Sequence, residues 1–225
     1  MSKEFFDAIR NGNRDRVSAM IASDSALLSA KDENGLGPFT VAKYSRRNEI
    51  AALLLEKGVD LDIFGACMAG DDQRVAELIK DDPQLIKSYS HDGWTPLHLA
   101  CFFNQPATAE ALILRGADVQ ARSRNLARNA PLHAAAAGHS REAVRILLEH
   151  GAEVNAKQEA GWTALHSASQ NGDVEMVRLL IAGGANVHAR ADNNQNALDL
   201  ALTQGHQAVV DMLDVHAAAI DGGAS

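Results

Sequence analysis

Nine histidines, two cysteines and 29 carboxylates are the residues of this chain that could do chemistry. Three of the histidines, His98, His133 and His166, recur at one position of a tetrad: TPLH from Thr95, APLH from Ala130 and TALH from Thr163. NALD from Asn196 continues the series with Asp199 in the histidine's place. A metal site needs three or four ligands converging on one ion. One histidine per repeat cannot converge, so the spacing predicts a structural role, a hydrogen bond to backbone between repeats. HExxH, paired CxxC and nucleophile-elbow signals are missing, as are GxxxxGK[ST] and a strand-linked GxGxxG. No pair of carboxylates has a spacing that requires acid/base work. The reading is therefore no catalysis, no cofactor and no metal. Cys67 and Cys101 fall at the same point of a helix in consecutive repeats, which sets their Cα atoms beyond the ~7 Å reach of a disulfide. Small buried residues are expected there.

The tetrads impose the organisation. They begin at Thr95, Ala130, Thr163 and Asn196, so the last two steps are equal and the first is longer by two. A glycine stands at one constant distance after each of the first three, at Gly116, Gly151 and Gly184. The runs GADVQA, GAEVNA and GANVHA begin at those glycines. GPFT, from Gly37, stands at the same distance before Gly58 and the run GVDLD. The front of the chain also aligns with itself at an offset of 58: Phe6 with Phe64, Gly12 with Gly70, Asp24 with Asp82, Pro38 with Pro96 and Gly58 with Gly116. Residues 1–58 and 59–116 thus read as a duplicated pair of repeats. The third repeat is short between Leu61 and Gly70, which a clipped hairpin would explain.

TPLHLA, then a helix, then LLxxGADV, at a period of roughly 33 residues, resembles the ankyrin-repeat family. The resemblance is strong over residues 92–213 and weaker before. It implies an all-α solenoid of about seven helix-turn-helix repeats joined by protruding β-hairpin loops. The expected boundaries are one domain over 1–220, with repeats at 1–34, 35–60, 61–91, 92–126, 127–159, 160–192 and 193–220, and a flexible tail at 221–225.

The residue types agree with that resemblance. Pro96 and Pro131 suit the first turn of a helix, and Thr95 and Thr163 suit the N-cap before it. Ala100, Cys101, Ala135, Ala136, Ala168 and Ser169 are small enough for close helix packing. Glycines at 58, 116, 151 and 184 suit helix ends that need a left-handed residue. Polar ends are expected to cap the stack: Lys3, Glu4, Asp7 and Arg10 at one, Asp199, His206, Asp211 and Asp214 at the other. The content is 46% hydrophobic but only 4% aromatic, which favours helices over a sheet core. A net charge of -8 disfavours nucleic acid and acidic membrane surfaces as partners. No signal-peptide or membrane-span pattern stands out, so a cytoplasmic monomer is expected.

In this family, contacts to partners come from the hairpin tips and the exposed face of the first helix. The resemblance transfers that role to Tyr44, Met68, Phe102, Phe103, Gln170 and Asn171. Tyr44, Met68, Phe102 and Phe103 would form an apolar stripe; alternatively one phenylalanine turns inward to fill a gap left where Asn104 replaces glycine. Trp94 would pack on the next hairpin and keep an edge for a partner. The hairpin ARSRNLARNAPLH carries a two-residue insertion and Arg122, Arg124 and Arg128, either a finger for a carboxylate-rich partner or a solvated loop. The expected function is a protein–protein interaction scaffold or adaptor. The alternatives are an enzyme or small-ligand binder using the concave groove, and nucleic-acid binding through the arginines.

Overall fold

A computed structural model describes the backbone of residues 2–222 and the side chains of residues 2–218. Among the described residues there are fourteen α-helices, three short 3-10 turns and no strand. The chain divides into two compact units with the boundary between Leu85 and Ile86. The boundary falls inside a 3-10 turn, Pro83–Lys87, which replaces the GADV loop used downstream.

The first unit holds α1 (Ser2–Arg10), α2 (Arg14–Ser23), α3 (Pro38–Tyr44), α4 (Asn48–Glu56), α5 (Ile63–Ala69) and α6 (Asp72–Asp81). Helices α1 and α2, α3 and α4, and α5 and α6 pack as antiparallel pairs, while α1, α3 and α5 stack in one row. The second unit holds α7 (Pro96–Phe102), α8 (Pro106–Leu114), α9 (Pro131–Ala137), α10 (Arg141–Glu149), α11 (Ala164–Gln170), α12 (Val174–Ala182), α13 (Ala197–Gln204) and α14 (Gln207–Gly222). There the odd-numbered helices form one row and the even-numbered helices the other. Asp221 and Gly222, assigned to the tail from the sequence, belong to α14, and residues 223–225 lie outside the described residues.

The duplication is visible element by element. Helices α2, α3 and α4 and the 3-10 turn Ser25–Ser29 recur at the offset of 58 as α6, α7, α8 and Pro83–Lys87, with the same ends. The caps match as well. Asn13 accepts from the Arg16 N–H at 3.1 Å, and Asp71 accepts from the Arg74 N–H at 2.9 Å. Asp24 and Asp82 accept from the N–H groups of Ala26 and Gln84 at 3.1 and 3.0 Å. Side-chain caps of this kind satisfy N–H groups that have no partner inside the helix. The register is lost only at α5, where Asp62 caps a later start through the Gly65 N–H at 2.8 Å.

The loops are hairpin-like but carry no strand. Each closes on one backbone bond across its base, Ser90 N–H to Trp94 O at 2.8 Å, Gln158 to Trp162 at 2.8 Å and Ala191 to Gln195 at 2.9 Å. One such bond per loop is too few for a β-ladder, which is why the expected β-hairpins reduce to turns.

Small residues set the row spacing. Ala100, Cys101, Ala135, Ala136, Ala168 and Ser169 are buried along α7, α9 and α11. Gly138, just after α9, is tighter still: a Cβ there would lie 2.1 Å from the Phe102 carbonyl oxygen at the end of α7. Its φ of -86° is ordinary, so the requirement is purely steric. Across the second row, Asp173 caps α12 at the Met176 N–H (3.1 Å) and receives Arg141 Nη2 at 2.7 Å.

Two substitutions follow from this geometry. Gly138→Ala should destabilise by roughly 3 kcal/mol, the upper part of the overpacking range, because backbone must move. Arg46 holds a left-handed φ of 56° in the α3–α4 turn, where the first and third pairs use Gly12 and Gly70. Arg46→Gly should therefore stabilise by about 1 kcal/mol. Urea titrations of both variants beside the parent check these values.

Candidate functional site

Three buried histidines tie α7, α9 and α11 to the loops that follow them. Thr95 Oγ1 lies 2.7 Å from His98 Nδ1, and the Thr95 N–H donates to the same nitrogen at 3.4 Å. That makes Nδ1 the acceptor and leaves Nε2–H to donate to the Asn129 carbonyl at 2.9 Å. His133 repeats the arrangement, accepting from the Ala130 N–H at 3.2 Å and donating to Trp162 O at 3.2 Å. His166 accepts from the Thr163 N–H at 3.1 Å and donates to Gln195 O at 3.3 Å. Each imidazole thus ties its own helix start to the loop of the next pair, the structural role its spacing predicts. Asp199, which has no side-chain N–H to donate, instead closes a reciprocal cap with Asn196, both bonds at 2.9 Å.

Burial leaves these rings neutral. Desolvation pushes His98 and His133 down to about 4, against the opposing pull of the Asn129 and Trp162 carbonyls. The Arg122 guanidinium lowers His133 further, and burial lowers His166 as well. Cys67 and Cys101 are buried free thiols, and burial pushes the Cys101 thiol far above its ordinary range, which makes it a poor nucleophile. Among the described residues no group of three or more His, Cys, Asp or Glu could hold a metal ion. Among the same residues no helix is long and apolar enough to cross a membrane.

Three of the expected partner-binding residues come together. Trp94 and Phe102 meet edge to face at 5.0 Å between ring centres, and Phe102 and Phe103 do so at 5.2 Å. All three are half-buried. The Trp94 ring also lies 5.9 Å from that of His98, so the cluster rests on the histidine bond below it. Neither phenylalanine is swallowed by the core; they form one aromatic ledge along α7 and the residue after it. Gln170 and Asn171 are exposed at the end of α11, where the Gln170 carbonyl accepts from His206 Nε2 at 3.0 Å. Tyr44 is exposed in the first unit.

Met68 overturns the expected stripe. It is 0% exposed and has no surface to offer a partner. Counted from the helix start, Met68 of α5 stands where Cys101 stands in α7, one place before Phe102, so it faces inward where an outward position was expected. By the same count Cys67 matches Ala100, not Cys101. The arginines divide. Arg122 is half-buried and donates to the carbonyls of Lys157 at 2.7 Å and Arg128 at 3.3 Å. Arg124 lies over the Tyr89 ring at 3.8 Å, and Arg128 is exposed with a left-handed φ of 46°. Beneath Arg124 is an open cavity of about 480 Å³ lined by Lys87, Tyr89, Thr95 and Asp118 among others.

The buried neutral histidines make stability depend on pH with a definite sign. The unfolded chain takes up protons near pH 6.5 that the folded chain refuses until about pH 4, so stability is full above 6.5 and lost as pH falls. The loss should reach on the order of 3 kcal/mol per histidine. Melting curves between pH 7 and 4 should show the fall before carboxylates protonate. His98→Gln with His133→Gln should lower stability at pH 7 and flatten that slope; an unchanged slope would refute the assignment.

Comparison with known proteins agrees with this architecture. The family model for ankyrin repeats (three copies) matches residues 63–158 and 132–221. The probable 26S proteasome regulatory subunit p28 of Saccharomyces cerevisiae is 29% identical over 180 residues, covering 72% of this chain and 73% of that protein. The ankyrin repeat and SAM domain-containing protein 6 of Rattus norvegicus is 35% identical over 103 residues, 46% of this chain and 12% of that one. The human ankyrin repeat and SOCS box protein 5 is 46% identical over 63 residues, 28% of this chain and 18% of its own length. The chain therefore spans only a small part of the last two relatives. With the family model covering well over half of the chain, and the tetrad histidines bridging successive helix pairs, this protein belongs to the ankyrin-repeat family.

Proposed function

We propose that this chain is a non-catalytic cytoplasmic scaffold that binds another protein through the aromatic ledge of its second unit. Ankyrin repeats in general mediate protein–protein interaction, and a relative matched over 73% of its length is named as a proteasome regulatory subunit, a component of an assembly. The observation that carries the reading is the half-buried cluster of Trp94, Phe102 and Phe103. Aromatic side chains are sparse in this protein at 4%, yet three stand together at one surface. Such residues dominate interface energetics because they bury large area with little loss of side-chain freedom. Gln170, the last residue of α11, and Asn171 after it are exposed in the same row of helices and are read as additional polar contacts. Met68 has no part in it.

Affinity capture from the native cell, comparing the parent chain with Phe102→Ala/Phe103→Ala, tests the reading. Hot-spot pairs of this size predict a loss of about 30-fold or more in affinity. Circular dichroism should show that the double variant keeps its helices. Equal recovery of the same partner by both forms would rule out the ledge.

A further inference from the structure

The loop between α8 and α9 carries a feature that the aromatic ledge does not use. Its closing bond runs from the Ser123 N–H to Asn129 O at 2.9 Å, spanning two residues more than the closures at 90–94, 158–162 and 191–195. The added length is not slack. The Arg124 N–H donates to Gly93 O at 2.8 Å on one side, and Ala127 O accepts from the Glu159 N–H at 2.9 Å on the other. Asn125 accepts from Ser123 Oγ at 2.8 Å and from the Ala127 N–H at 3.1 Å, and donates to Asp92 O at 3.1 Å. Arg122 clamps the base through the carbonyls of Lys157 and Arg128. At the tip of this fixed loop stands Leu126, 94% exposed. Two exposed arginines flank it, Arg124 held over Tyr89 and Arg128 in its left-handed turn.

We infer that this loop is a second docking element, and that it takes an acidic amphipathic protein segment: Leu126 packs on the segment's apolar face while Arg124 and Arg128 pair with its carboxylates. Charge complementarity selects the occupant. The protein carries a net charge of -8, yet this loop presents two guanidinium groups, and none of its three arginines pairs with a carboxylate among the described residues. Asp92 and Glu159 lie in the adjoining loops; the Asp92 carboxylate is held by Ser90 Oγ. A guanidinium stacked on an aromatic ring keeps its donor edge free and pre-oriented for carboxylate. A loop already held on both sides loses little conformational freedom on binding, which is what a small contact needs. The inference rests on the reading of the chain as a protein binder, but on different residues from the ledge.

Fluorescence anisotropy with a labelled helical peptide of Glu and Leu, an all-Glu peptide, a Lys/Leu peptide and a single-stranded DNA oligonucleotide tests it on the full chain. The Glu/Leu peptide should bind saturably, and the all-Glu peptide more weakly. Leu126→Ser should weaken Glu/Leu binding about tenfold or more without changing the melting temperature, since the residue is exposed. Arg124→Ala/Arg128→Ala should weaken it to a similar degree and flatten its dependence on salt. Phe102→Ala/Phe103→Ala should leave it within about twofold. The inference fails if the Glu/Leu peptide does not saturate by about 1 mM. It also fails if Leu126→Ser binds as the parent does, or if the Lys/Leu peptide or the oligonucleotide shows the same dependence on the loop. Loss of partner capture in the Phe variant, with unchanged peptide binding in Leu126→Ser, would leave the ledge standing and the loop refuted. Unchanged partner capture in the Phe variant, with loss of peptide binding in Leu126→Ser, would remove the ledge and leave the loop.

Discussion

An imidazole buried in one helix pair donates its proton to a backbone carbonyl in the loop of the next, and the second unit depends on that bond. Loop carbonyls such as Asn129 O accept twice, from the Ser123 N–H that closes the loop and from His98 Nε2–H, and the second bond contributes about 1 kcal/mol. Histidine meets the need because it accepts at one nitrogen and donates at the other. The accepting nitrogen caps its own helix through Thr95 or Thr163, and the donating one reaches the neighbour. One side chain therefore fixes both the start of a helix and the position of the following loop. Burial enforces the neutral tautomer that this double role requires.

The surface features are built on that frame. The Trp94 ring lies beside His98 and supports Phe102, whose backbone in turn is approached so closely by α9 that only glycine fits at 138. The aromatic ledge is thus held by the end of α7 and by Trp94 in the loop before it, whose N–H donates to Ser90 Oγ at 3.0 Å. The arginine loop is fixed in a different way, by backbone and amide bonds from the loops on either side. Both surfaces are pre-organised, as expected where binding must not consume its own energy in ordering the binder.

Much of this was legible in the residues. The period of the tetrads located α7, α9, α11 and α13, and the offset of 58 paired the segments that fold as α2 and α6, α3 and α7, and α4 and α8; the 3-10 turns were not foreseen. Helix caps are local, so Thr95, Asp24 and Asp82 announce themselves by type and position. Met68 was misread because the clipped third repeat moves the cap to Asp62 and with it the register of α5. A single step along a helix turns a side chain by about 100°, enough to carry it from the surface to the core. Leu126 is not legible as a surface feature, because a leucine beside arginines in a loop signals nothing until its exposure is known. The signal that could have found it is its place inside the longer loop, where the sibling loops enclose no large apolar residue.

The sequence by itself determined the all-helical repeat, most helix starts, the caps and the structural use of the tetrad histidines, because each rests on interactions within a few residues or on a pattern repeated down the chain. Only the tertiary structure decided the division into two units at residue 85, the burial of Met68, the meeting of Trp94, Phe102 and Phe103, and the split of the three arginines between clamp and surface. The Arg122 clamp reaches a carbonyl in the next loop, while Trp94 meets Phe102 within one repeat because α7 lies against the loop before it. Neither follows from local propensity; packing decides both.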